Sequence, residues 1–271
     1  MQSYTRHQLK EDKFATSAKE AAHWTVEHRS TLINAAVLVA VVLAVVGGYV
    51  WYTTSQDEKA SIALGEAMRT YTAPVRPADA PPVPGVTSFP TAAERSKAAH
   101  DQFLKIATSF PGSRNGKYAL YMTGIAAMDM GDNAMAEKHL KEAAQSGNAV
   151  VTPLAKFALG SLYHNMQEDE EAAKIYREVA ALNSDVVPKV TAQLTLAEMY
   201  AAKQPADAIK IYEQIQKDEQ EARKLEVAKT DKGKEKGKDN GSAPALAADS
   251  PTPLEQLATA RIAALKSGQN K

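Results

Sequence analysis

Histidines and carboxylates are the side chains of this chain best equipped for acid–base or metal chemistry, so their spacing is read first. The histidines stand at positions 7, 23, 28, 100, 139 and 164, and no pair of them has a spacing that fits a metal site. His23 and His28 lie just before a long apolar run, a place for interfacial residues. His100 and His139 fall in amphipathic helices and are expected on their exposed faces. Cysteine is absent, which excludes disulfides, thiolate metal sites, cysteine nucleophiles and a lipidated-cysteine anchor. No glycine-rich phosphate loop occurs, and no serine sits in a nucleophile elbow. Acidic residues are abundant but follow helix surfaces. The expectation is a protein with no catalytic centre, no cofactor and no metal, and hence not an enzyme. Lysine plus arginine equals aspartate plus glutamate, 32 of each, so there is no global drive toward nucleic acid.

The elements that must position any binding surface are helical. Alanine is plentiful and aromatics make up only 6% of residues, which favours closely packed helices over a β-sandwich. The chain is read as all-α. Residues 1–30 form a polar N-terminal segment, and 31–53 a single membrane-spanning helix. Residues 54–216 form a helical solenoid, with a proline-rich loop at 72–90. Residues 217–250 read as a charged disordered linker, and 251–268 as a C-terminal capping helix.

The span is argued from length. Residues 32–51 read "LINAAVLVAVVLAVVGGYVW", and no charge occurs from 30 to 56. Twenty residues at about 1.5 Å each cover roughly 30 Å, the thickness of the hydrocarbon layer. Tyr49, Trp51 and Tyr52 suit an interfacial aromatic belt. A cleaved signal peptide fits poorly, because the preceding region is long and carries Glu11, Asp12, Glu20 and Glu27. Lys10, Lys13, Lys19 and Arg29 before the run, against Lys59 and Arg69 after it, favour a cytoplasmic N-terminus. The repeats would then be periplasmic in a diderm bacterium, and the protein a single-pass resident of the inner membrane. Ala36, Ala40, Ala44 and Gly48 form a small-residue stripe. It is either a helix-packing face or a consequence of abundant alanine.

Beyond the span a pattern recurs. Ala99, Phe103 and Ile106 share their offsets with Ala136, Leu140 and Ala143, with Ala172, Tyr176 and Val179, and with Ala208, Tyr212 and Ile215. The leading alanines are 37, 36 and 36 residues apart. A small residue precedes each of the last three: Gly124 and Gly160 by twelve residues, Ala197 by eleven. Each unit is therefore helix, short turn, helix, with Ala136 expected at the close crossing with Gly124. The first unit needs a first helix, and residues 55–71 supply it, with Ile62, Gly65 and Met68 at helical spacing. Between its helices lies "TAPVRPADAPPVPGVTSFP", whose prolines exclude helix and favour an extended loop. Such a loop is either a lengthened connection or a segment recognised by a partner. The last repeat helix is expected to run to about Val227. In "TPLEQLATARIAALKSG", Thr252 and Glu255 read as a capping box, with Pro253 at the first helical position. Leu254, Leu257, Ala258, Ile262 and Leu265 form the apolar face that would cover the end of a solenoid.

This pattern resembles the tetratricopeptide repeat, with Leu159, Gly160, Tyr163, Ala172 and Tyr176 at the family's signature positions, and Gly131 at its turn. The chain departs from it at Lys156, where a large apolar residue is usual. In that family the first helices line a concave binding face. The resemblance places Tyr118, Tyr121, Ile125 and Met128 there from one unit, Phe157, Ser161 and His164 from the next, and Leu194 and Glu198 from the last. The Lys, Arg and Asn of a carboxylate clamp are missing from these positions. The whole plan is similar to the bacterial single-span tetratricopeptide proteins related to the ancillary subunit of the Sec translocon. That resemblance implies a membrane-anchored scaffold whose partners are translocon subunits, periplasmic chaperones and emerging polypeptides. The alternative is an envelope-assembly or cell-division adaptor, which the repeat around residues 103–132 also resembles.

Overall fold

A computed structural model describes residues 29–76, 84–234 and 251–268. Among these residues there are helices and no strands. They run α1 (Arg29–Tyr71), α2 (Ala92–Ser109), α3 (Arg114–Asp129), α4 (Asn133–Ala144), α5 (Val151–Asn165), α6 (Asp169–Ala181), α7 (Lys189–Lys203), α8 (Pro205–Lys234) and α9 (Pro253–Gly268). The chain divides into two compact units, residues 1–58 and 59–271.

In the first unit the described residues are the apolar part of α1. This helix is long and apolar enough to cross a membrane, and none of its apolar stretch is buried in protein. Val37, Leu38, Leu43, Val45 and Trp51 are all more than half exposed. A contiguous apolar surface of this kind is stable against lipid and unstable in water.

In the second unit successive helices pack as antiparallel neighbours. Local chemistry starts them. Thr91 accepts from Glu94 N–H at 3.1 Å, Ser113 from Gly116 N–H at 2.8 Å, and Asp132 from Met135 N–H at 2.9 Å. Each such cap is worth about 1 kcal/mol. Asp169, Glu170 and Glu171 open α6, where carboxylates complement the helix dipole.

Two turns within pairs are Schellman motifs. Gly131 N–H reaches Met128 O at 2.9 Å and Asp132 N–H reaches Ala127 O at 3.0 Å, with Gly131 at φ +75°. One repeat later Gln167 N–H reaches His164 O and Glu168 N–H reaches Tyr163 O, both at 2.9 Å, with Gln167 at φ +65°. The turn between α7 and α8 has no left-handed residue. Gln204 alone links the helices at φ −137° and ψ 62°, and Pro205 begins α8; α7 runs one residue further past Ala197 and the turn is two residues shorter, which gives the eleven-residue spacing from Ala197 to Ala208.

The core follows the alanine frame. Ala136, Ala172 and Ala208 are fully buried, and the atoms nearest a side chain at Gly124 are those of Leu140. A Cβ on Gly124 would lie 2.7 Å from Leu140 Cγ, and one on Gly160 2.8 Å from Tyr176 Cε1. The glycines therefore make room for the bulky residue four positions after each alanine. Lys156, the departure from the repeat pattern, is half-buried and donates to Glu178 of α6 at 2.6 Å.

The first pair has a different register from the expected one. Ile62 is 65% exposed and nothing lies near Gly65. The buried face is Ala60, Ala63, Leu64, Ala67, Met68 and Tyr71, packed with Ala99, Phe103 and Ile106 of α2. Tyr71 meets Phe103 edge-on at 6.1 Å, and its hydroxyl donates to Asp129 at 2.7 Å. The loop between α1 and α2 is clasped at its base by a parallel bridge between Val75 and Phe89. Residues 77–83, with Pro77, Pro81 and Pro82, lie outside the described residues.

Helix α8 continues to Lys234, past the expected end near Val227, and no proline interrupts it after Pro205. Residues 228–234 are thus helical where a linker was expected, and 235–250 lie outside the described residues. Helix α9 packs back along α8. Ala258 is fully buried, with Leu254, Ile262 and Leu265 against the main core. Leu257 is 41% exposed and belongs to the outer face, contrary to expectation. Its capping box forms: Glu255 N–H donates to Thr252 Oγ1 at 3.1 Å, and Thr252 N–H to Glu255 at 2.6 Å. Glu255 is buried and also accepts from Arg223 of α8.

Candidate functional site

The candidate face is built from α3, α5 and α7, the first helices of three successive pairs. Tyr118, Tyr121, Ile125, Met128, Phe157 and Leu194 are all half-buried. Each leans on the solenoid core with part of its surface and leaves the rest to solvent. The Tyr118 and Tyr121 rings lie 5.6 Å apart and are inclined at 55°. Tyr121 contributes to the packing of three apolar clusters, so it joins the first pair, the second pair and α5. Burial, with the neighbouring Tyr118, pushes its phenol up from the ordinary tyrosine value, keeping it a neutral donor at physiological pH. Phe157 lies 5.4 Å from the buried Tyr176 ring, and Ser161 holds the Tyr176 hydroxyl at 3.0 Å.

Polar groups border this apolar strip. His164 is exposed, and its Nδ1 lies 2.8 Å from Asp169, which also accepts from Lys203 at 2.5 Å. The hydrogen bonds from Lys203 and His164 hold the Asp169 carboxyl below its usual range. Glu198 is exposed and lies 3.8 Å from Arg261 of α9. Glu198, Ala201 and Tyr212 share a cleft of about 360 Å³ with Arg261, Ala264 and Leu265, so α9 borders the strip at α7.

These residues form an apolar and aromatic strip, broken by single polar groups, on helices. Such a surface holds extended or helical polypeptide through burial, with hydrogen bonds at its margin. Ala36, Ala40, Ala44 and Gly48 stand apart in the first unit. They are exposed along α1, and nothing lies within 4 Å of a Cβ placed on Gly48. Among the described residues no group of three or more His, Cys, Asp or Glu is placed to hold a metal ion.

One expectation is overturned outside the strip. His100 and His139 are 5% and 6% exposed, not surface residues. They lie one and three positions after the alanines of their own helices, and their rings meet beside a cleft lined by α2, α3 and α4 together. Periodicity within either helix does not reveal that meeting.

The model of the tetratricopeptide repeat-like domain matches residues 22–181. The chain belongs to that family. No curated protein and no solved structure matches the chain. The tetratricopeptide match takes in more than half of the chain, beginning ahead of the apolar stretch of α1 and ending with α6. The pair α7–α8 lies beyond the matched residues but keeps the frame, with Ala197, Ala208, Tyr212 and Ile215 in the same core. As a tetratricopeptide repeat-like protein the chain is a protein-interaction scaffold, and the strip on its first helices is where that role is sought.

Proposed function

We propose that this protein is a membrane-anchored scaffold that receives polypeptides on the strip formed by α3, α5 and α7. The observation that carries the reading is the row of half-buried apolar and aromatic residues, Tyr121, Ile125, Met128, Phe157 and Leu194, on adjoining first helices of a repeat family that binds proteins. The apolar stretch of α1 supports anchoring in the membrane. In this reading the N-terminus is cytoplasmic, the repeats lie in the periplasm at the inner membrane, and the partners are translocon subunits, periplasmic chaperones and emerging chains. The lysine and arginine distribution around the span supports that orientation. The chain acts by holding partners and is not an enzyme. The balanced charge supports protein partners over nucleic acid.

The test is co-purification of the full chain in mild detergent after crosslinking in cells. Translocon subunits or periplasmic chaperones are expected to come down with it. Their reproducible absence, with recovery of peptidoglycan-synthesis proteins instead, would replace this reading with that of an envelope-assembly adaptor. Protease accessibility of the repeats in spheroplasts checks the orientation.

A further inference from the structure

His100 of α2 and His139 of α4 face each other with ring centroids 5.9 Å apart and planes inclined at 58°. Both are almost wholly buried. His100 Nδ1 is held by Asp101 at 3.1 Å, while His100 Nε2 and His139 Nδ1 are buried without a hydrogen-bonding partner among the described residues. The repeat frame shows what the other seams use at the same two positions. Between the second and third units they are Glu137 and Ile175, and between the third and fourth Ala173 and Ile211. Ala173 is fully buried and Ile211 packs against the same core. The first seam thus puts two titratable rings where the last has only apolar side chains.

We propose that the His100–His139 pair is a proton-responsive latch on the seam between the first two helix pairs, closed while His139 is neutral and loosened when it takes a proton. An imidazolium here would be desolvated, and a second one would be repelled by the first. The charges around the pair do not compensate. Asp101 of α2 is largely exposed, so its field is screened. On α4, Lys138 opposes a positive charge and Glu142 favours it. From α3, Lys117 lines the same cleft of about 440 Å³ as His139 and Glu142, with its ammonium donating to Ser146 O at 3.1 Å. Burial first, then His100 and Lys138, hold His139 below the ordinary histidine value.

The sign follows from that depression. Below pH ~6.5 the unfolded chain binds more protons at this position than the folded one, so stability falls as pH drops through that value. The loss stops growing once pH is below the folded value. At mildly acidic pH α2 therefore parts from α4 before the later seams open, and the cleft beside His139 widens.

The test uses the full chain in detergent and the double variant His100→Ala, His139→Ile, which installs the side chains of the third seam. Between pH 7.5 and pH 5.5 the native chain is expected to lose about 2–4 °C more in Tm than the variant. Hydrogen exchange, corrected for its intrinsic pH dependence, should show protection falling in α2 and α4 and holding in α6 and α7. An unchanged pH slope in the variant, or an equal loss of protection in all four helices, overturns the latch. If the variant does not fold, NMR titration of the native imidazoles decides: a His139 that titrates below the ordinary histidine range supports the proposal, and one at the ordinary value overturns it.

Discussion

Tyr176 lies across Gly160, with the ring edge where a side chain at position 160 would begin: a Cβ there would sit 2.8 Å from Cε1. The pair joins α5 to α6, and Gly124 with Leu140 joins α3 to α4 in the same way. A glycine-to-bulky contact sixteen residues apart is thus the recurrent joint of this solenoid. It sets how closely the first helix of a pair approaches the second, and so where Phe157, in contact with the Tyr176 ring, stands on the binding strip.

The joint predicts a contrast among glycines. Gly160→Ala and Gly124→Ala overpack a rigid ring and a branched carbon, and each should cost about 1–3 kcal/mol. Gly65→Ala meets open space in the middle of a helix and should gain up to about 1 kcal/mol. Thermal melts of the three variants measure this. Equal effects at positions 160 and 65 would remove the joint from the account.

The left-handed turn residues give a second prediction. Gln167 occupies the position that Gly131 fills one repeat earlier, and a side chain there costs about 1–2 kcal/mol. Glycine loses more backbone freedom on folding, so Gln167→Gly should gain roughly 0.5–1 kcal/mol net. Gly131→Ala should lose about 1 kcal/mol or more. Urea midpoints of the two variants should move in opposite directions.

The end cap is tested at Thr252 and Glu255. Thr252→Ala removes one half of the capping box and should cost about 1 kcal/mol. Glu255→Ala also leaves Arg223 without this carboxylate and should cost more, about 2–3 kcal/mol. Hydrogen exchange should then rise first in α9. If it rises uniformly across the solenoid, α9 is not a separable cap.

The repeat was legible in sequence because its spacing rests on covalent length. Thirty-six residues per unit and twelve from Gly160 to Ala172 are set by helix and turn geometry, which any one chain displays. The cap was legible because Thr252, Pro253 and Glu255 carry their own local chemistry. Contacts between units were less legible. His100 and His139 sit in different helices, and both are buried only once α2, α3 and α4 pack together. Ile62 and Gly65 had helical spacing, but Ala60 and Ala67 lie one face around and are the buried pair, because alanines permit close approach to α2. The repeat frame nominates Tyr118, Tyr121, Phe157 and Leu194 for the proposed binding strip, and the structure places them half-buried on first helices. That Tyr121 also packs three clusters together depends on helix–helix geometry that no single helix encodes.

The central claim is that polypeptides are held on the face of α3, α5 and α7. Photo-crosslinking amino acids placed singly at Met128, His164 and Glu198, with Lys174 and Glu213 of α6 and α8 as exposed controls on second helices, test it most directly in intact cells. The account predicts discrete adducts with translocon subunits, chaperones or exported chains from the first three positions and none from the controls. Adducts confined to the controls, or no adduct from Met128, His164 and Glu198 in a folded protein, would contradict it.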